Sequence, residues 1–141
     1  MTRAEIENRI ASLKTAISKN RSKIKDLEKK MKNLESSSGT VSNLIGKIES
    51  KVEDNVRTIR KKVDRLNSNS QFRVNYLAAA KKILYGSSTE NSVGILREAS
   101  TETKNKYSDL ENELKKIKKK IRTDEQEIAT LKAQLEAGNN G

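Results

Sequence analysis

The chain has 141 residues, of which 33% are hydrophobic and 35% charged, and its formal net charge is +11. So little apolar material cannot fill a compact core, whereas long helices that each bury only a narrow stripe need no more. Cys, His and Trp are absent and the aromatics are three Tyr and one Phe, which excludes disulfides, thiolate zinc sites, a Cys nucleophile, the commonest general base and an aromatic-lined pocket.

The N-terminal helix opens on Thr2-x-x-Glu5, a capping box that predicts a start near residue 2. Ile6, Ile10, Leu13, Ile17, Ile24, Leu27, Met31 and Leu34 follow on a 4-3 spacing, with Asn20 as its polar slot. That is a heptad seam more than four heptads long. Ser36-Ser37-Ser38-Gly39-Thr40 is a break by composition but not by phase, because Val41, Ile45, Ile48 and Val52 stay on the same heptad. A loop has no reason to keep register, so one helix is expected to continue through this weak patch, with a kink allowed there. After Val52 the stripe shifts by one residue to Val56, Ile59, Val63 and Leu66, a stutter that locally unwinds a supercoil.

Asn67-Ser68-Asn69-Ser70 is polar and out of apolar phase, and reads as a turn. A short helix is predicted from Gln71 to Tyr85, with Phe72, Tyr76, Leu77, Ala80, Ile83 and Leu84 inward. Gly86-Ser87-Ser88-Thr89-Glu90 is the next break, and Ser87 with Glu90 forms a second start signal. The last helix carries Val93, Leu96, Tyr107, Leu110, Leu114, Ile117, Ile121, Ile128, Leu131 and Leu135 on one heptad, with Ser100, Thr103 and Asp124 in its polar slots. Gly138 is read as its end.

The expected fold is therefore all-α: an elongated antiparallel helical hairpin, or a coiled coil of long helices. One domain spans 1–137, with helices at about 2–66, 71–85 and 91–137 and a loose tail over 138–141. Two layouts remain open. A turn at 67–70 sets Ile6 opposite Leu135 and Asn20 near Asp124, a polar layer that would specify register. It also brings Lys23 and Lys30 towards Lys120, which is unfavourable unless acids stand nearby. A turn at 86–91 pairs 41–84 with 92–135 and leaves the N-terminal arm free for another chain.

No enzyme activity, cofactor, metal or small-molecule substrate is expected. The net charge favours an acidic partner. The runs Arg21–Lys25 and Lys115–Arg122 place their basic residues off the seam, so they read as solvated coiled-coil faces rather than nucleic-acid patches. Ile10, Leu13, Ile17, Ile24 and Leu27 are the candidate partner-contact stripe, because their arm has no assured partner inside the chain. Asn20 and Asp124 are the candidate register residues. Leu84 and Gly86 form a hydrophobic-x-Gly junction between helices, and Tyr107 with Glu111 forms Tyr-x-x-x-Glu. No apolar run reaches the length of a membrane span, and residues 1–10 do not form a cleaved secretory signal. A cytoplasmic origin is expected, and any export would use a route without such a signal.

Heptad-rich N-terminal helices, the Leu84-x-Gly86 junction and a long Lys/Glu-rich C-terminal helix together resemble the WXG100 or ESAT-6-like superfamily of type VII secretion. The closer resemblance is to the small helical helper proteins encoded beside LXG toxins, although Leu84 stands where that superfamily usually has Trp. The resemblance implies a targeting factor or chaperone that binds the helical N-terminal domain of an LXG-type toxin, with a second small helical helper as a further partner. It also implies that Tyr107 and Glu111 correspond to an export signal and that the protein can itself leave through type VII secretion. The alternatives are a self-assembling structural coiled coil and a basic binder of nucleic acid or anionic surfaces.

Overall fold

The computed structural model describes residues 1–65 and 70–139. The described chain is all-α, with three helices: α1 (Arg3–Arg65), α2 (Ser70–Leu84) and α3 (Ser87–Asn139). The turn expected at Asn67–Ser70 and the stripe residue Leu66 lie outside the described residues, apart from Ser70 at the start of α2, and so does the side chain of Phe72.

Local chemistry sets the helix ends. The Thr2 backbone N–H donates to Glu5 Oε2 at 2.6 Å, and the Glu5 N–H donates back to Thr2 Oγ1 at 3.2 Å. Both halves of the capping box are made, so two of the otherwise orphaned donors at the start of α1 are satisfied. The Ser36–Thr40 patch is helical throughout, and the Thr40 hydroxyl donates to the Ser36 carbonyl at 3.1 Å. Apolar phase outweighs local composition there.

Gly86 ends one helix and starts the next. Its N–H donates to the Ile83 carbonyl at 3.2 Å, tightening the end of α2. Its own carbonyl accepts from Thr89 N–H at 3.0 Å and Glu90 N–H at 3.2 Å. Gly86 rather than Ser87 therefore occupies the cap position, and α3 starts about four residues before the expected 91. At the other end Gly138 is still helical and α3 closes at Asn139, a difference of the size by which helix ends fray.

The described residues pack as two units. Unit 1 comprises Met1–Leu34 and Lys106–Gly141, and unit 2 comprises Glu35–Asn105. The heptad pattern predicts a single domain over 1–137; the contacts cluster into these two units.

In unit 1 the N-terminal half of α1 lies against the C-terminal part of α3. Ile6, Ile10, Leu13 and Leu131 form a buried cluster, with Ile128 and Leu135 packed on it. Arg9 pairs with Glu127 at 2.8 Å, and Glu28 meets Lys118 at 4.0 Å. One strand of partners ascends as the other descends, so the two segments are antiparallel. The layout with a free N-terminal arm does not occur.

Unit 2 is built from the end of α1, all of α2 and the start of α3. Its stripe follows the stutter: Val52 and Val63 are buried, and Val56 and Ile59 are half-buried. The face of α2 that turns inward is Arg73, Leu77, Ala80 and Leu84, all half-buried. Tyr76 and Ile83, expected inward, are exposed. They sit roughly a quarter turn around the helix from the inward stripe, and one short helix buries only one stripe against its neighbours.

Candidate functional site

The five residues chosen as a partner-contact stripe are taken up within the chain. Ile10, Leu13, Ile17 and Leu27 are buried and Ile24 is half-buried, with Leu13 only 4% exposed. Their assignment to an outside partner presumes that the N-terminal arm lacks an internal one. Unit 1 overturns that premise, because the stripe faces α3 and Ile10 and Leu13 share a core with Leu131. Burial of each such side chain stabilises the pairing by about 1.5–3 kcal/mol, so the stripe is not open to a second chain without cost.

Asp124 is fully buried in unit 1. Its Oδ1 accepts from the Lys120 ammonium at 2.7 Å, one turn back on α3. Its Oδ2 is buried with no hydrogen-bond partner. Asn20 is half-buried on α1 and does not answer that oxygen. Of the three residues expected to crowd, Lys120 is met by Asp124; nearby, Lys118 meets Glu28 and Arg21 meets Glu125 at 2.9 Å. Arg9 is held above its ordinary pKa first by its hydrogen bond to Glu127 and then by the charges of Glu127 and Asp124. Both basic runs present their Lys and Arg to solvent while Ile24, Ile117 and Ile121 turn inward, as a solvated coiled-coil face requires.

Leu84 and Gly86 are both half-buried at the α2–α3 junction. A Cβ on Gly86 would come within 3.0 Å of the Ile83 carbonyl oxygen and 3.3 Å of that of Lys82. The junction thus favours a residue without a side chain. Tyr107 and Glu111 lie inside α3, both half-buried, and Glu111 pairs with Lys115 at 3.7 Å.

The two units differ in how completely they bury their apolar side chains. Among the described residues unit 1 buries Ile6, Ile10, Leu13, Ile17, Leu27, Ile121 and Leu131, whereas unit 2 buries Val52 and Val63. Among the described residues the large exposed hydrophobics are Met1 in unit 1 and Leu44, Val74, Tyr76, Ile83, Tyr85 and Ile95 in unit 2. Ile83 is 80% exposed and Ile95 66%.

Unit 2 also contains two grooves that each have Tyr85 in their lining. One, of about 320 Å³, is lined by Ile48, Val52, Val93 and Gly94 among others. The other is lined by Glu53, Val56, Arg57, Arg60 and Lys81 besides Tyr85. Heptad reasoning missed this surface because it assigns every apolar residue to a seam. The available signal was α2 itself, whose apolar residues occupy more than one face.

No family model, curated protein or solved structure matches this chain. Among the described residues no cluster of three or more His, Cys, Asp or Glu is placed to hold a metal, and no helix is long and apolar enough to cross a membrane.

Proposed function

We propose that the protein is a non-enzymatic helical partner protein, a targeting factor or chaperone of the type VII secretion kind, that binds the helical N-terminal domain of an LXG-type toxin. One observation carries the protein-binding part of this reading: among the described residues, six of the seven large exposed hydrophobics belong to unit 2. Large apolar side chains left exposed are what a protein-interaction surface supplies when they lie together. The buried Nε of Arg73, also in unit 2, has no hydrogen-bond acceptor. The secretion context rests on the resemblance in layout described above, and the +11 charge favours an acidic partner.

A self-assembling coiled coil is the second reading, and the filled seam of unit 1 weighs against it. Light scattering after size exclusion separates the two. The pure protein is expected to be a monomer at physiological salt, and to shift to a 1:1 complex when mixed with the helical N-terminal domain of an LXG-type toxin. A homo-oligomer that survives dilution, or no complex with that domain, would remove this reading.

A further inference from the structure

Unit 1 brings together two basic runs that lie more than eighty residues apart in the chain. Glu28 meets Lys118 at 4.0 Å and Arg21 meets Glu125 at 2.9 Å, so residues 21–32 of α1 run antiparallel beside residues 115–122 of α3. Taken singly, each run is a solvated helix face. Side by side, the two segments hold twelve Lys or Arg and two acids, Asp26 and Glu28, and carry +10 of the chain's +11. The other 121 residues hold 18 Lys or Arg and 17 Asp or Glu. The basic stretch 57–85 of unit 2, by contrast, has Glu49, Glu53 and Glu90 lining the grooves beside it.

All twelve cations of this band are exposed. Four are paired: Arg21 with Glu125, Lys115 with Glu111, Lys118 with Glu28 and Lys120 with Asp124. The other eight, Lys25, Lys29, Lys32, Lys116, Lys119 and Arg122 among them, make no ion pair with a described residue. Like charges at this density oppose the pairing of the helices that carry them. A bound polyanion removes that repulsion.

What the band lacks identifies its counterpart. Ile24, Leu27, Met31, Ile117 and Ile121, set between the cations, are buried or half-buried, and neither segment contains an aromatic residue. Protein interfaces centre on aromatic and apolar anchors and are poor in Lys. A polybasic patch anchors stably to a membrane only with an apolar group beside it. Single strands are gripped by stacking on aromatic rings. The phosphate backbone of a duplex needs none of these, because point charges suffice. Along the roughly 18 Å of helix from residue 21 to residue 32, a duplex presents about ten phosphate charges.

We infer that this band binds the phosphate backbone of double-stranded nucleic acid without regard to sequence, the Lys and Arg of α1 and α3 displacing its counterions. The band lies in unit 1, whereas the partner reading rests on unit 2, so either can fail alone.

The test uses the full chain and a labelled DNA duplex of about 30 base pairs, read by fluorescence anisotropy between about 50 and 200 mM salt. Two band variants, Lys25→Gln/Lys29→Gln/Lys32→Gln and Lys116→Gln/Lys119→Gln/Arg122→Gln, are compared with Lys47→Gln/Lys51→Gln/Lys104→Gln, which removes the same charge from unit 2. Gln matches Lys and Arg in helix propensity, so helicity and Tm should not fall. The expected result is duplex binding whose log affinity falls against log salt with a slope of roughly −3 to −4, from about four phosphates neutralised on the side that meets the duplex. Each band variant should lose at least tenfold in affinity, and the unit 2 variant less than threefold. No binding at the lowest salt, a flat salt dependence, or an equal loss in the unit 2 variant overturns the inference. So does poly-glutamate that displaces the duplex at equal charge, which would assign the band to an acidic protein. Tighter binding to vesicles of equal parts phosphatidylcholine and phosphatidylglycerol would assign it to a membrane surface and overturn it too.

Discussion

Lys120 Nζ lies 2.7 Å from Asp124 Oδ1, while Asp124 Oδ2 is buried with no hydrogen-bond partner. A carboxylate in an otherwise apolar seam, half satisfied from its own helix, specifies register better than it stabilises. Replacing it by the residue type of the neighbouring slots removes a desolvation penalty. Asp124→Leu is expected to be at least as stable as wild type, by about 0–4 kcal/mol in thermal or urea unfolding. The loss should appear instead as oligomers in light scattering. Lys120→Met does the opposite, because it leaves the carboxylate buried without its cation. A destabilisation of about 1–3 kcal/mol is expected, kept at the low end by the exposure of Lys120.

The capping box makes the start of α1 sensitive to acid. Hydrogen bonding to the Thr2 backbone and hydroxyl holds the Glu5 carboxyl below its ordinary value of 4.5. The unfolded state therefore binds a proton more readily, so the contribution is present above the ordinary carboxylate range and is lost as pH falls through the lower folded value. Amide exchange at Glu5 and Ile6 should accelerate between about pH 5 and pH 3 beyond its intrinsic pH dependence. In Thr2→Ala exchange should already be fast at neutral pH. Exchange that follows its intrinsic pH dependence would show that the box does not hold in solution.

Two glycines should respond in opposite directions. Gly86→Ala presses a Cβ onto the Ile83 carbonyl, a backbone atom that cannot swing away. A loss of about 1 kcal/mol is expected, seen first as faster exchange across α2. Gly94 lies inside α3 with open space at its Cβ. Gly94→Ala should stabilise by about 0.5–1 kcal/mol. Thermal melts of the two single variants decide it, and shifts of the same sign would contradict the junction geometry.

The cluster of Ile6, Ile10, Leu13 and Leu131 joins segments more than a hundred residues apart in the chain. Leu13→Ala should cost about 2–5 kcal/mol, from lost transfer free energy and the cavity left behind. Leu131→Ala should do the same, and the double variant should cost less than the sum, because the two side chains share one cluster. Additive losses in urea unfolding would mean that the two do not pack together.

How much of this was legible depended on how local each cause is. Thr2 and Glu5 cap α1 through neighbours three residues apart, and that is visible in four letters. The Ser36–Thr40 patch stays helical because Val41 and Ile45 keep the phase of Leu34, which is also visible, though composition argued against it. Gly86 was recognised as a junction, but not as the cap of α3, because its carbonyl bonds are a matter of backbone geometry.

The heptad pattern by itself determined that this chain is all-α, where its helices run and which stripe each would bury, since 3.6-residue periodicity follows from side-chain order alone. It did not determine which stripe meets which, because every a/d seam is compatible with every other. The tertiary structure decided that Ile10 and Leu13 face Leu131 rather than another chain. It also decided that Ile83 and Tyr85 remain exposed in unit 2. A stripe records only the wish to be buried, and its fulfilment depends on residues brought beside it from a hundred positions away.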